Sequence, residues 1–210
     1  MTTPPKLTRR EREREQHKRE VLDAAEEIFA TRGFDDATIE DIAKKADFAV
    51  GSIYNFFNGK NDLVHNVLLR LIRMRVDEIE KHVLTKSGDP VAALRTLTDQ
   101  WVANYIKHGA FLRVAITARM SEGKTDFKGA GDAELRDLMK TYSDLVSRVL
   151  EAGAKAGVFH KISSEHLFAI YEGTCRSFVL IWKNRNDNRP KEALADELFA
   201  TVKIALTGKA

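Results

Sequence analysis

The chain has 210 residues, an apolar share of 43%, a formal net charge of +3 and a single cysteine, Cys175. That length suffices for one large domain or two small ones with a sizeable core. No apolar run reaches the length of a membrane span, the charged N-terminus lacks the apolar stretch of a signal peptide, and one thiol excludes an intramolecular disulfide framework. The expected location is the cytoplasm, at the nucleoid. A charge of +3 does not indicate nucleic acid unless it is concentrated somewhere.

It is concentrated at the start. Lys6, Arg9, Arg10, Arg12, Arg14, Lys18 and Arg19 make the first nineteen residues basic. Residues 1–8, with Pro4 and Pro5, offer little to bury and are expected to be disordered, so 1–15 reads as a basic, partly disordered arm. Such an arm either lies along phosphates or, with its alternating Glu, simply solvates a helix start. From Arg9 to Thr31 the apolar positions Val21, Leu22, Ala24, Ala25, Ile28 and Phe29 keep helical spacing, and Gly33 stops the helix. Thr38 is placed to cap a short helix from Ile39, with Asp41 as its capping-box partner and Ile42, Ala43 and Ala46 inward. Asp47 tolerates a left-handed turn. A second short helix, Val50 to Phe57, is expected to bury Ile53 with Phe56 or Phe57, to present Gly51, Ser52, Tyr54 and Asn55, and to end at Asn58-Gly59.

Two short helices joined by a tight turn make a helix-turn-helix. The segment Phe29-Ala-Thr-Arg-Gly33-Phe34, then Thr38 with Ile42-Ala43, then Gly51-Ser-Ile-Tyr54-Asn-Phe-Phe57, then Lys60-Asn-Asp62-Leu63, resembles the TetR family of bacterial transcriptional regulators. Two positions depart from the family pattern. Asp47 stands where Gly is usual, and Ala49 where a capping Ser is usual, so no hydroxyl contact to phosphate is expected from position 49. The resemblance implies a helix-turn-helix DNA-binding domain at 16–61. Within it, Thr38, Tyr54 and Lys60 would anchor phosphates, Val50, Ser52 and Asn55 would reach base edges or sugar, and Gly51 would allow close approach. Phosphate contacts fix register and groove-edge contacts choose sequence.

Beyond Lys60 a long helix runs to about His82, with Asn61 or its neighbour as cap and Leu63, Val64, Val67, Leu68, Leu71, Ile72 and Val76 along one side. Ser87 to Pro90 is the next break, with Asp89 as N-cap. Helices are then expected at Val91–Lys107, Phe111–Met120 after a stop at His108-Gly109, Ala133–Ala156, Leu167–Lys183 capped by Ser163 or Ser164, and Lys191–Leu206; the loop Gly123–Gly131 and the polar tract Asn184–Arg189 separate them. No alternating Val/Ile/Thr-rich stretch competes as a strand. The fold class is therefore all-α, with about nine helices.

The segment 62–210 would be the ligand-binding and dimerisation domain. Trp101, Tyr105, Phe111, Tyr142 and Tyr171 supply large side chains for a pocket, most of them shared with the core. Arg113, Arg119 and Arg176 sit in apolar context, where an unpaired guanidinium is costly. Arg119 and Arg176 are candidates to anchor a ligand, although Glu172, one turn before Arg176, favours a salt bridge. Cys175 lies on the same stretch and reads as a small buried hydrophobe. Leu167 to Trp182 is apolar over most of its circumference, which favours a homodimer through the last two helices.

No catalytic or metal site is expected, because His17, His65, His82, His108, His160 and His166 show no metal-ligand spacing and Cys175 lacks a nucleophile's context. No cofactor is implied. The partners expected are a double-stranded DNA operator, a small-molecule effector and a second copy of the chain. The function is that of a repressor on a palindromic operator, released by a small molecule. The alternative is a helical small-molecule-binding or interaction protein that no longer binds a specific operator, and Ala49 is its support.

Overall fold

The computed structural model describes residues 8–83, 88–121, 133–184 and 189–208, apart from the side chains of 116–121, 179–180 and 183–184. These residues form eight helices and no strand: α1 Arg9–Arg32, α2 Ile39–Ala46, α3 Val50–Tyr54, α4 Lys60–His82, α5 Pro90–Ser121, α6 Ala133–Lys155, α7 Ser164–Asn184 and α8 Lys191–Thr207. The expectations for 1–7, for the loop Gly123–Gly131 and for most of the tract before Arg189 fall outside the described residues.

Eight helices replace nine because α5 runs unbroken through His108-Gly109. Gly in mid-helix costs about 1 kcal/mol relative to Ala, which is too little to end a helix held by packing. His108 is buried. A Cβ at Gly109 would stand 2.7 Å from Tyr105 Cε2, so the missing side chain is what lets the Tyr105 ring lie along the helix.

The chain forms two compact units, Met1–Arg70 with Ala110–Lys128, and Leu71–Gly109 with Gly129–Ala210. Sequence reading puts the domain change at Asn61, whereas the compact units change over inside α4. The first unit buries Val21, Leu22, Ala25 and Phe29 of α1, Ile39 and Ile42 of α2, Ile53 of α3, Leu63, Val64 and Val67 of α4, and Phe111 of α5. Arg70 ties α4 to α1, donating to Asp23 Oδ1 at 2.6 Å and Glu26 Oε2 at 2.8 Å.

The second unit is built on Val76, Ile79, Leu94, Leu97, Trp101, Tyr142, Leu145, Val149, Leu167, Tyr171, Phe178, Leu198 and Val202, with α7 packed between α6 and α8. Asp89 caps α5, its Oδ1 accepting from the Val91 and Ala92 amides at 3.0 Å. Ser163 caps α7. In α6, Gly153 makes room for the Phe159 ring, since a Cβ there would lie 2.1 Å from Phe159 Cδ2.

Candidate nucleic-acid interface and effector cavity

The helix-turn-helix is set by local chemistry. Thr38 Oγ1 accepts from the Asp41 amide at 3.0 Å and donates to Asp41 Oδ2 at 2.8 Å, and Asp41 Oδ2 also accepts from the Thr38 amide at 3.3 Å, so both halves of the capping box are closed. Arg32 Nη1 reaches the same carboxylate at 2.8 Å. The Thr38 hydroxyl bond, with Arg32 assisting, holds the Asp41 pKa below its ordinary value. At the other end of α2, Asp47 is left-handed at φ 59° and ψ 42°, and the Phe48 and Asp47 amides return to the Ala43 and Lys44 carbonyls at 2.9 and 3.4 Å. That is a Schellman closure in which Asp carries the residue geometry that Gly usually supplies.

The helix that follows is shorter than the sequence suggests. Regular α-helix stops at Tyr54, and Asn55 and Phe56 continue as a turn, their amides bonding back to Ser52 and Ile53. Ala49 precedes it without any side-chain cap; the Ser52 amide bonds back to the Ala49 carbonyl at 2.9 Å, and no side-chain oxygen serves the first turn. Ile53 and Phe57 are the buried pair; Phe56 is half-buried, with the Arg14 guanidinium 5.6 Å from its ring centre. Gly51, Tyr54 and Asn55 are exposed, Tyr54 at 57%, and Val50 and Ser52 are half-buried beside them. A Cβ at Gly51 would meet nothing within 4 Å, leaving open backbone at that point.

Two expected phosphate anchors have other partners here. The Thr38 hydroxyl serves the capping box. Lys60 Nζ donates to the Phe34 and Asp35 carbonyls at 2.8 and 3.2 Å and lies 4.8 Å from the Phe34 ring centre, which clamps the α1–α2 loop to the start of α4. Of Asn61 or its neighbour, expected at the start of α4, it is the neighbour Asp62 that acts, its Oδ2 accepting from the Asn58 amide at 2.8 Å. Of the basic arm, Arg9 to Arg19 belongs to α1, which Thr8 caps with Glu11 in a second capping box.

Because Ala49 leaves an amide uncapped, Ala49→Ser should stabilise the chain by about 1 kcal/mol. Thermal unfolding checks it, with a rise of about 2–4 °C expected for this chain length. No change would mean that water already serves that amide.

The second unit holds a cavity. Ile79, Leu97, Trp101, Tyr142 and Tyr171 form its apolar and aromatic wall, and Arg75, Glu78, Gln100 and Asn104 its polar one. Its volume, roughly 210 Å³ even with the open space at its mouth, is below the about 300–1,000 Å³ typical of ligand pockets. That figure includes open solvent, and the enclosed part has room for about one water molecule, so any organic ligand requires the walls to move.

Arg75 is the cation that sequence reading missed. It donates to the Tyr142 hydroxyl, lies 4.2 Å from the Tyr142 ring centre, and stands 3.7 Å from Glu172 Oε1; Tyr142 in turn donates to Glu172. Burial alone would lower the Arg75 pKa, but the Tyr142 and Glu172 charges overcome it and raise the value. Burial pushes the Tyr142 and Tyr171 hydroxyls well above the usual phenol range. The signal was present in the sequence, since Arg75 falls one turn from both Leu71 and Ile79 on the apolar side of α4.

The other candidate ligand residues separate. Trp101, Tyr142 and Tyr171 line the cavity, and Tyr105 stacks on Trp101 with ring centres 5.8 Å apart. Phe111 instead packs on Phe29 in the first unit, ring centres 6.4 Å apart. Arg176 is 75% exposed and bonded to Glu172 at 3.4 Å, and Arg113 is exposed too, so neither is the buried guanidinium expected from its apolar neighbours. Helical periodicity turns both outward. The Arg119 side chain lies outside the described residues. Cys175 is fully buried, and burial drives its thiol pKa far above the ordinary range, where it is an inert hydrophobe.

Residues 21–67 match the model for bacterial regulatory proteins of the tetR family, and residues 90–181 match the tetracyclin repressor-like C-terminal domain. The chain belongs to the TetR family. It is 27% identical over 199 residues to the HTH-type transcriptional repressor NicS of Pseudomonas putida, covering 90% of each chain. To the repressor KstR2 of Rhodococcus jostii it is 30% identical over 144 residues, 67% of this chain and 66% of that one. Among solved structures, a TetR-family regulator of Mesorhizobium loti shares the fold with a TM-score of 0.71 at 19% identity, covering 95% and 97% of the two chains. FadR of Bacillus subtilis, solved in complex with stearoyl-CoA, does so with a TM-score of 0.70 at 16% identity, covering 91% and 99%. Among the described residues no group of His, Cys, Asp and Glu could hold a metal ion, and no helix is long and apolar enough to cross a membrane.

Proposed function

We propose that this TetR-family chain is a repressor that binds a palindromic operator as a homodimer and is released when a small molecule enters the cavity of its C-terminal unit. The observation that carries the DNA-binding half is the exposed Gly51, Tyr54 and Asn55, with Val50 and Ser52 half-buried beside them, held along α3 and its C-cap by a capped α2 and the Asp47 turn. Its chemistry suits a groove: an Asn amide can pair bidentately with adenine, Val can meet a thymine methyl, and the Tyr hydroxyl can donate to phosphate. Regulation by repression is supported by relatives named as repressors.

One such reader spans few base pairs, so a specific operator needs two copies about a helical turn apart. The outward side of α7 carries Ala169, Gly173 and Ser177 at one-turn spacing, with Ile181 39% exposed beyond them, and α8 adds Ala200 and Ile204, the latter 47% exposed. Small residues at that spacing let a partner helix approach closely.

A Cβ at Gly173 would meet nothing within 4 Å inside the protomer. Gly173→Leu should therefore leave the protomer folded, convert a dimer to monomer in sedimentation, and abolish operator binding. A variant that stays dimeric removes α7 from the interface. For induction, reciprocal titration is decisive: effector must weaken operator binding by the factor by which operator weakens effector binding. An effector that leaves operator affinity unchanged removes the release step and spares the reader.

The reading as an effector-binding protein without an operator is favoured only by the uncapped α3. Salt separates the two, since a binder neutralising several phosphates loses affinity steeply as salt rises.

A further inference from the structure

We infer that the effector of the C-terminal cavity is an uncharged or cationic molecule carrying an N–H donor, such as an amide, amidine or amine on a ring, and that the site rejects organic anions. The inference rests on the cavity being the effector site proposed above.

Its first support is charge. Among the described residues Arg75 is the sole cation of the wall, and its guanidinium is already committed: it donates to Tyr142, stacks on that ring at 4.2 Å and stands 3.7 Å from the buried Glu172 carboxylate, which also accepts from Tyr142. A second carboxylate, Glu78, lines the same cavity. The lining thus sets one guanidinium, already paired with Glu172 behind it, beside the carboxylate of Glu78, with Arg176 answering Glu172 only from a side chain 75% exposed to solvent. An entering carboxylate adds a third negative charge close to these two.

Hydrogen bonding gives the second support. The Gln100 amide donates through Nε2 to the Glu78 carbonyl at 3.3 Å, which fixes its orientation and leaves Oε1 buried with no donor among the described residues. Glu78 Oε2 accepts from the Asn104 amide at 3.0 Å. Both groups are acceptors, and an ionised carboxylate has no proton to offer them. An N–H does. The aromatic wall of Trp101, Tyr142 and Tyr171 suits a ring, and a cation beside such faces gains further.

Benzamide, benzamidine and benzoate share size and shape and differ in charge and donors, so they test the inference directly by calorimetry on the full chain. Benzamide or benzamidine should bind at least tenfold more tightly than benzoate. Glu172→Gln, which keeps an acceptor for Tyr142 but removes the charge, should raise benzoate affinity at least fivefold, and the half-exposed Glu78→Gln should act in the same direction without touching the buried pair. Benzoate binding wild type as tightly as benzamide, or no binding by any of the three, overturns the inference. Operator release measured alongside separates the two proposals. The expected charge order without operator release keeps the ligand class and ends the induction reading; a reversed order with release does the opposite.

Discussion

Replacing Tyr54 by alanine should weaken operator binding about a hundredfold on every sequence tested, while leaving thermal stability unchanged. The ring is 57% exposed and Ile53 and Phe57, not Tyr54, close the core beneath α3, so truncation removes little buried surface. A hydrogen bond to a charged group contributes about 1.5–3 kcal/mol, and a symmetric dimer makes the contact twice, which sums to about 3 kcal/mol or two decades in affinity. Fluorescence anisotropy with operator and with unrelated duplex measures it. The loss should be uniform because a phosphate contact carries no sequence information, whereas Asn55→Ala should relax preference only at the bases it faces. Wild-type binding by both variants would mean that α3 is not the reading helix.

The second large effect is on stability. Glu172→Ala should destabilise the chain by about 3 kcal/mol, because it leaves the Arg75 guanidinium and the Tyr142 hydroxyl without their common acceptor. Breaking a buried pair by removing one partner costs about 3–5 kcal/mol, and the lower end applies because the Arg75 side chain is 27% exposed and partly solvated. For this length the expected fall in Tm is about 6–12 °C. Arg75→Met in the Glu172→Ala background should restore part of the loss, since both members of the pair are then gone; a double-mutant cycle reads the coupling. A fall below about 2 °C would show that solvent, not Glu172, satisfies Arg75.

Where the determinants were local, the sequence was legible. Thr38 with Asp41, and Asp47 at the turn, act within four residues of themselves, and all take the conformations their chemistry requires. Apolar periodicity located the long helices for the same reason. What failed depended on packing that the pattern of letters does not carry. Gly109 reads as a stop until the Tyr105 ring is seen to occupy its missing Cβ. The end of α3 at Tyr54 rather than Phe57 goes with the turn closed by the Asn55 and Phe56 amides and with the burial of Phe57, which does not shift the helical pattern of letters. Among the arginines, apolar context pointed to Arg113 and Arg176, which face outward, while Arg75 on the inward side of α4 went unremarked. Its partners Tyr142 and Glu172 lie 67 and 97 residues further along the chain and are joined to it only by the fold.

The central claim is that two copies of α3 read a two-fold symmetric DNA site. Selection from a randomised duplex pool with the purified protein, followed by binding of the retained sequences across a range of salt concentrations, tests it most directly. An inverted repeat with half-sites about one helical turn apart, bound with an affinity that falls steeply with salt, is the expected result. Recovery of no motif from folded protein, or of binding insensitive to salt, would contradict it.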